Sequence, residues 1–156
     1  VDFTAEVMPT HNVAVSLAGR PRVATLAELR TLKGGIGVIK GAKPAETAVE
    51  AGVPAAALVG FATRDELIDA LKSAQVQAAI LPASELAVSA KRVSGLQAGV
   101  TVGAPGRVAW AVRKEDRALR EALDAYLANV RRGTSWSRLI VKYFGDQALS
   151  VLGRAH

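Results

Sequence analysis

Short runs rich in apolar residues alternate along the chain with stretches whose apolar positions recur every three to four residues. This is the pattern of strand-helix units stacked into a largely parallel sheet. Val13-Ala14-Val15-Ser16-Leu17 reads as a strand ended by Gly19-Arg20-Pro21. Thr25-Leu26-Ala27-Glu28 has the form of a capping box. The threonine oxygen accepts from the amide three residues on while Glu28 reaches back, which predicts a short helix through Leu32, stopped by Gly34-Gly35. Ile36-Gly37-Val38-Ile39 follows as a strand, Lys40-Gly41-Ala42-Lys43 as a loop, and residues 44–51 as a helix with Pro44 in its first turn and Gly52 near its end. Residues 57–61 supply the next strand, and Thr63-Arg64-Asp65-Glu66 a second capping box, opening a helix with the apolar stripe Leu67, Ile68 and Leu71. A strand over 76–81 runs into Pro82 and a helix over about 83–91. A last strand near Gly99–Val102 leads through Pro105-Gly106 into a separate strand over Val108–Val112.

The final third is helical. Leu119, Leu123, Tyr126, Leu127 and Val130 fall at i, i+4, i+7, i+8 and i+11, one face of a helix from near Glu115 to before Gly133. Trp136, Leu139, Ile140, Tyr143 and Phe144 line a second, shorter helix. Both stripes read as core, since apolar side chains at this spacing face a partner element.

Composition supports the α/β reading. Half of the 156 residues are apolar and only 4% aromatic, so helices and sheet pack closely through small side chains. Twenty Lys and Arg against fourteen Asp and Glu give a net charge of +6. The late excess of cations, from Arg107 to Lys142, is interleaved with acids and reads as a solvated helix face. No nucleic-acid-binding motif occurs. The absence of cysteine excludes a disulfide framework and a thiolate metal site. The chain has no apolar run of the ~18–20 residues a membrane span needs, and Val1-Asp2-Phe3-Thr4 does not open a signal peptide, so an exported protein is represented here by a mature form or an excised portion.

Catalytic parts are lacking. His11 and His156 have no ligand-type spacing, and no nucleophile elbow, zinc-protease or phosphate-loop pattern occurs, so neither a metal nor a cofactor is expected. Gly34-Gly35-Ile36-Gly37 precedes a strand and is therefore a turn instead of a dinucleotide fingerprint. His11, near the start of the first strand, reads as an exposed or hydrogen-bonded histidine before a cleft residue.

Several segments together carry a resemblance. They are Leu26-Ala27-Glu28-Leu29, Gly35-Ile36-Gly37-Val38, Lys40-Gly41 and Glu46; Thr63 to Leu71 with Lys72-Ser73 and Val76-Gln77-Ala78-Ala79-Ile80; Phe3-Thr4; and the closing run Gly106 to Asp116, Arg132-Gly133-Thr134 and Lys142-Tyr143-Phe144-Gly145. In this order they resemble periplasmic solute-binding proteins of the amino-acid-binding type, family 3, over nearly the whole chain. The resemblance implies a type II periplasmic-binding fold: a mostly parallel sheet with flanking helices, one near-complete lobe plus the C-terminal helices of the other. It assigns 16–107 to the second lobe and 1–15 with 108–156 to a remnant of the first, with crossings near Val13–Val15 and Val108–Ala111. The family's N-terminal portion has no counterpart. Leu123, Leu127, Trp136 and Phe144 then lack the sheet they cover in such proteins, which predicts self-association, a partner fragment or rearranged packing.

The loop before a helix at 40–43 sets backbone amides and a positive dipole end at a strand's C-terminal edge, where open α/β sheets bind anions and carboxylates. Gly41, Ala42 and Lys43 form one half of the candidate site. Similar proteins place a hydroxyl residue after this glycine; with Ala42 there, binding rests on the amides and the lysine. The other half is Pro82, Ala83, Ser84 and Glu85, matching the place where the family's carboxylate holds a ligand ammonium. Here Pro82 replaces that acid and Gln77 the strand's usual aspartate, which argues against an ordinary α-amino acid. Ser84 and Glu85 are read as helix-start residues. The implied function is non-catalytic capture of a small polar or anionic solute, amino-acid-like or an organic acid, in the periplasm, for delivery to the membrane permease of an ABC transporter. The alternative is a sensing or regulatory module of the same fold, fused to a kinase, a lytic enzyme or a transcription regulator.

Overall fold

The computed structural model describes residues 1–152; His156 lies outside the described residues. The chain divides into two compact units, one of His11–Ala104 and one of Val1–Thr10 with the residues from Pro105 onward. Both divisions fall somewhat earlier in the chain than 15/16 and 107/108.

The His11–Ala104 unit is built on a five-stranded sheet. Its strands are β2 (Met8–Leu17), β3 (Ile36–Ile39), β4 (Leu58–Phe61), β5 (Ala78–Pro82) and β6 (Leu96–Val108), in the spatial order β4-β3-β5-β2-β6. β3 runs parallel to β4 and β5, while β2 is antiparallel to β5. Side chains alternate cleanly between two buried faces. Val13, Val15, Ala79 and Leu81 pack with Leu67, Ile68 and Leu71 of α3 (Arg64–Lys72) and Leu86 of α4 (Ala83–Ala90). Ala14, Ile36, Val38, Ala78 and Ile80 pack on the other face with Leu29 of α1 (Leu26–Thr31) and Ala48 of α2 (Lys43–Glu50). Gly37, on the first face, leaves room that the Leu67 methyl occupies, so no larger side chain fits there.

Local signals set most boundaries. The box at α1 forms in full: Glu28 N–H donates to Thr25 Oγ1 at 3.1 Å, and Thr25 N–H to Glu28 Oε2 at 3.1 Å. At α3 only half of it forms. Glu66 N–H donates to Thr63 Oγ1 at 3.2 Å, but the Glu66 carboxylate takes the Ala62 amide at 3.1 Å instead of that of Thr63. The break expected at Pro105-Gly106 is also absent, since β6 runs unbroken through both. β6 lies at an edge of the sheet, where a residue with no N–H costs no ladder bond.

In the other unit, β1 (Asp2–Phe3) pairs antiparallel with β7 (Ala111–Val112). The ribbon continues through Thr4 N–H to Trp110 O at 3.0 Å and Val7 N–H to Val108 O at 2.7 Å. α5 (Arg117–Arg132), α6 (Ser135–Phe144) and the short α7 (Ala148–Val151) follow. A polar row on α5 holds the residues before β2. Arg120 lies 3.1 Å from the Asp2 carboxylate, Ala5 N–H donates to Asp124 Oδ1 at 2.6 Å, and Arg131 donates to the carbonyls of Glu6 and Val7.

The apolar rows of α5 and α6 are less buried than core stripes. Leu127 and Ile140 are buried, and Leu123, Val130, Trp136 and Phe144 half-buried, while Leu119, Tyr126, Leu139 and Tyr143 are exposed. The physical reason is the small extent of sheet in this unit: among the described residues its sheet is two-stranded, too little surface to cover two full helical stripes.

Candidate functional site

The register of the central strands brings the two halves of the expected site to one edge. β3 and β5 are neighbours running the same way, with Ile36 opposite Ala78 and Gly37 opposite Ala79. Continued past the strand ends, this register sets the loop at 40–43 beside the Pro82–Glu85 turn. β2 enters from the opposite direction with Asn12 paired to Pro82, so Asn12 stands at the same edge. β4 ends there too, where Lys40 N–H donates to Phe61 O at 2.9 Å.

The loop after β3 is a tight turn closed by Ala42 N–H donating to Ile39 O at 3.2 Å. Gly41 sits at φ +70°, a left-handed conformation that glycine adopts without strain, with open space around it. Ala42 is the extended N-cap of α2 and supplies no side-chain acceptor. The amide of Lys43, first in the helix, therefore has no intrahelical partner and is available to an anion, supported by the helix dipole.

The lysine's charge is directed elsewhere. Lys43 Nζ lies 2.9 Å from Glu46 and 3.7 Å from Glu50 on its own helix, and the Glu46 hydrogen bond and charge, with Glu50 behind them, raise its pKa. The ammonium expected to assist anion binding is thus answered by two carboxylates, and the backbone amides are left as the donors. Lys40 is the cation that sequence reasoning passed over. Its stem lies over Gly60 of β4, and it has no ion pair among the described residues.

On the β5 side, Pro82 takes the non-helical N-cap conformation of α4, and Ala83 is buried beneath the turn. Ser84 and Glu85 are half-buried and lie inside the first helical turn. Ser84 therefore does not cap the helix, because Pro82 already holds the cap position; Glu85 is the acid that complements the helix dipole. Asn12 could be found only from pairing. It is a polar residue ahead of an apolar strand, and its place at the edge depends on a partner about seventy residues away. His11, next to it, is half-buried, and burial lowers its pKa, so the imidazole is neutral at pH 7.

Elsewhere, the other unit carries an open groove of about 680 Å³ lined by Phe3, Thr4, Ala5, Glu6, Arg107, Val108 and Ala109. Among the described residues there is no cluster of three or more metal-ligating side chains, and no helix is long and apolar enough to cross a membrane.

No family model matches the sequence, and no curated protein matches it. Solved structures do match by shape. An ancestral amino-acid-binding protein, a precursor of cyclohexadienyl dehydratase, aligns with a TM-score of 0.78 at 19% identity, over 92% of this chain and 62% of its own. A protein from Wolinella succinogenes, taken as the binding component of an ABC transporter and complexed with lysine, aligns at 0.81 and 17% identity, over 94% and 64%. A periplasmic His/Glu/Gln/Arg/opine family-binding protein from Silicibacter pomeroyi, in complex with lysine, aligns at 0.68 and 25% identity, over 93% and 62%. The chain spans less than two thirds of the length of each. With its helix-covered sheet, the chain has the type II periplasmic-binding fold of the amino-acid-binding proteins, over part of their length.

Proposed function

We propose that the chain belongs to a solute-binding protein that captures a small polar or anionic solute in the periplasm, without catalysis, for uptake by an ABC transporter. The His11–Ala104 unit is its second lobe, and residues 1–10 with those from 105 onward belong to the first. Gly41, Ala42, Lys43 and Pro82, Ala83, Ser84, Glu85 form this lobe's wall of the cleft, joined by Asn12 and Lys40. The observation that carries the reading is the convergence of both helix starts on one sheet edge, fixed by the β3-β5 register and by the pairing of Asn12 with Pro82. Ligands bind at such strand ends in open α/β sheets.

The chemistry of the edge favours a carboxylate-bearing solute. Its donors are the amides at the starts of α2 and α4, the Asn12 amide and the Lys40 ammonium, while the acid in reach for a ligand ammonium is Glu85. The solved structures of the same fold include proteins bound to lysine and one bound to glutamine, which supports a small zwitterion or organic acid as the class.

The test is a thermal-shift screen of amino acids and organic anions on this chain and on a form extended at its N-terminus by a first-lobe segment. Stabilisation by carboxylates that Gly41→Val abolishes is the expected result, because valine is strained at φ +70° and covers the amides. No stabilisation of either form, or turnover of a prephenate-type substrate, overturns the reading.

A further inference from the structure

Ser89, near the end of α4, is 6% exposed, and its Oγ is a buried polar atom with no hydrogen-bond partner among the described residues. A hydroxyl kept from water with nothing to bond is costly, so such groups point to a bound partner. Ser89 also lines a small cavity of about 30 Å³, together with Arg64, Asp65 and Ile68 of α3 and with Arg92 and Val93 just beyond α4. This cavity lies wholly within the His11–Ala104 unit, whose sheet is packed on both faces.

The wall of the cavity is rich in donors. Neither Arg64, half-buried, nor Arg92 has an ion pair among the described residues. Arg64 and Asp65 open α3, and because Thr63 Oγ1 accepts from Glu66, their own amides have no intrahelical partner. The positive end of the helix dipole falls at the same place. On the α4 side the carbonyl is occupied: Ser89 O accepts from Arg92 N–H at 3.0 Å and from Val93 N–H at 2.9 Å. Asp65 is the opposing charge, but it is exposed and screened by solvent. Ile68, 5% exposed, makes part of the wall apolar, and a low local dielectric strengthens the attraction of the arginines.

We propose that this cavity binds one chloride ion, held by the Ser89 hydroxyl and by the Arg64 and Arg92 guanidinium groups at the first turn of α3. Size selects the ion. Roughly 10–15 Å³ of such space admits one water, so a monatomic anion fits here and phosphate or sulfate does not. The bound ion ties the start of α3 to the end of α4. Its lining shares no residue with the turns at 40–43 and 82–85, and the site does not depend on the solute-binding reading.

The experiment is chlorine-35 line-width titration of the full chain, with melting temperatures taken in chloride and in gluconate at equal ionic strength. Chloride is expected to broaden its resonance on binding and to raise the melting temperature above that in gluconate. Ser89→Ala is expected to weaken chloride about 10-fold, the worth of a hydrogen bond to an ion. Arg92→Gln changes an exposed side chain and is expected to weaken it as well, while Asp65→Asn removes the opposing charge and is expected to tighten it; circular dichroism checks the fold of each. No broadening by the unmodified chain, or broadening unchanged in either Ser89→Ala or Arg92→Gln, overturns the proposal. A melting temperature raised equally by Ser89→Ala in chloride and in gluconate also overturns it, and leaves Ser89 a hydroxyl that the fold buries without a partner.

Discussion

Asn12 of β2 stands directly opposite Pro82 of β5, and this pairing puts a neutral, partly exposed amide beside the turn where α4 begins. With no acid at position 82, the Asn12 side chain is the polar group that β2 contributes to the strand-end edge. Asn12→Ala is expected to weaken solute binding about 3- to 10-fold, the worth of one neutral hydrogen bond, while leaving the melting temperature of the unliganded chain unchanged. Calorimetric titration of the solute identified by screening checks the first part, and a thermal melt the second. Equal loss of affinity and stability would make Asn12 a structural residue.

Gly37→Ala tests the packing that sets β3 against α3. A methyl at Gly37 meets the Leu67 side chain, both in the fully covered centre of the sheet, so it forces Leu67 off its rotamer or pushes the helix outward. A loss of about 1–3 kcal/mol is expected, read as a lower midpoint in urea with the slope unchanged. Gly41→Ala serves as the control. It has open space and only a left-handed backbone to strain it, so its cost is expected to be smaller, about 1 kcal/mol.

Such contacts show what can be read along the chain and what cannot. β3 is legible to the residue, because Gly35 precedes four residues that end at a Lys-Gly turn, and the first capping box is legible because its two hydrogen bonds span only three residues. The loops at 40–43 and 82–85 are likewise visible as strand-to-helix turns. Their convergence needs the β3-β5 register, and Asn12 needs the β2-β5 pairing, both non-local. The run through Pro105-Gly106 reads as a break, since no local signal tells that β6 lies on an edge. Helical periodicity correctly names the inner residues Leu127 and Ile140, yet it carries no information on how wide the covering surface is, so Leu119 and Tyr143 read as core and are exposed.

His11 makes stability depend on pH in a predictable direction. Burial disfavours its charged form and lowers its pKa in the folded chain below the ordinary 6.5, so the unfolded chain binds the proton more tightly. The contribution is fully present above pH 6.5 and is lost as pH falls from there through the folded value. Thermal melts are expected to show a midpoint that declines below pH 6.5, and His11→Gln is expected to flatten that part of the curve. An identical decline in the variant would assign it to the carboxylates.

Arg131→Ala tests the clamp on the residues before β2. The guanidinium donates to the carbonyls of Glu6 and Val7 and lies over Trp136, so the substitution removes three interactions while leaving Arg120–Asp2 and Ala5–Asp124 in place. All of these groups are partly solvated, which keeps the expected cost to about 1 kcal/mol. The effect is expected to be local: hydrogen exchange should accelerate at the Thr4 and Val7 amides, which bond to Trp110 and Val108, and remain unchanged at Ile80 in the other unit. Uniform acceleration across both units would mean that the clamp supports the whole chain instead of its ribbon.

Leu119 and Tyr126 lie seven residues apart on one side of α5, both exposed, beside the half-buried Leu123 and Val130. Apolar side chains aligned along two turns form a continuous strip of the kind that marks a contact surface in a folded protein. Reversible self-association is therefore expected at high concentration, with light scattering giving a mass that rises as protein is added. Leu119→Glu with Tyr126→Glu keeps the buried Leu127 and the polar row at Arg120, Asp124 and Arg131, so the fold is expected to persist while the mass stays that of one chain. A wild-type chain that remains monomeric at every concentration would show that the strip is tolerated as solvent-exposed surface.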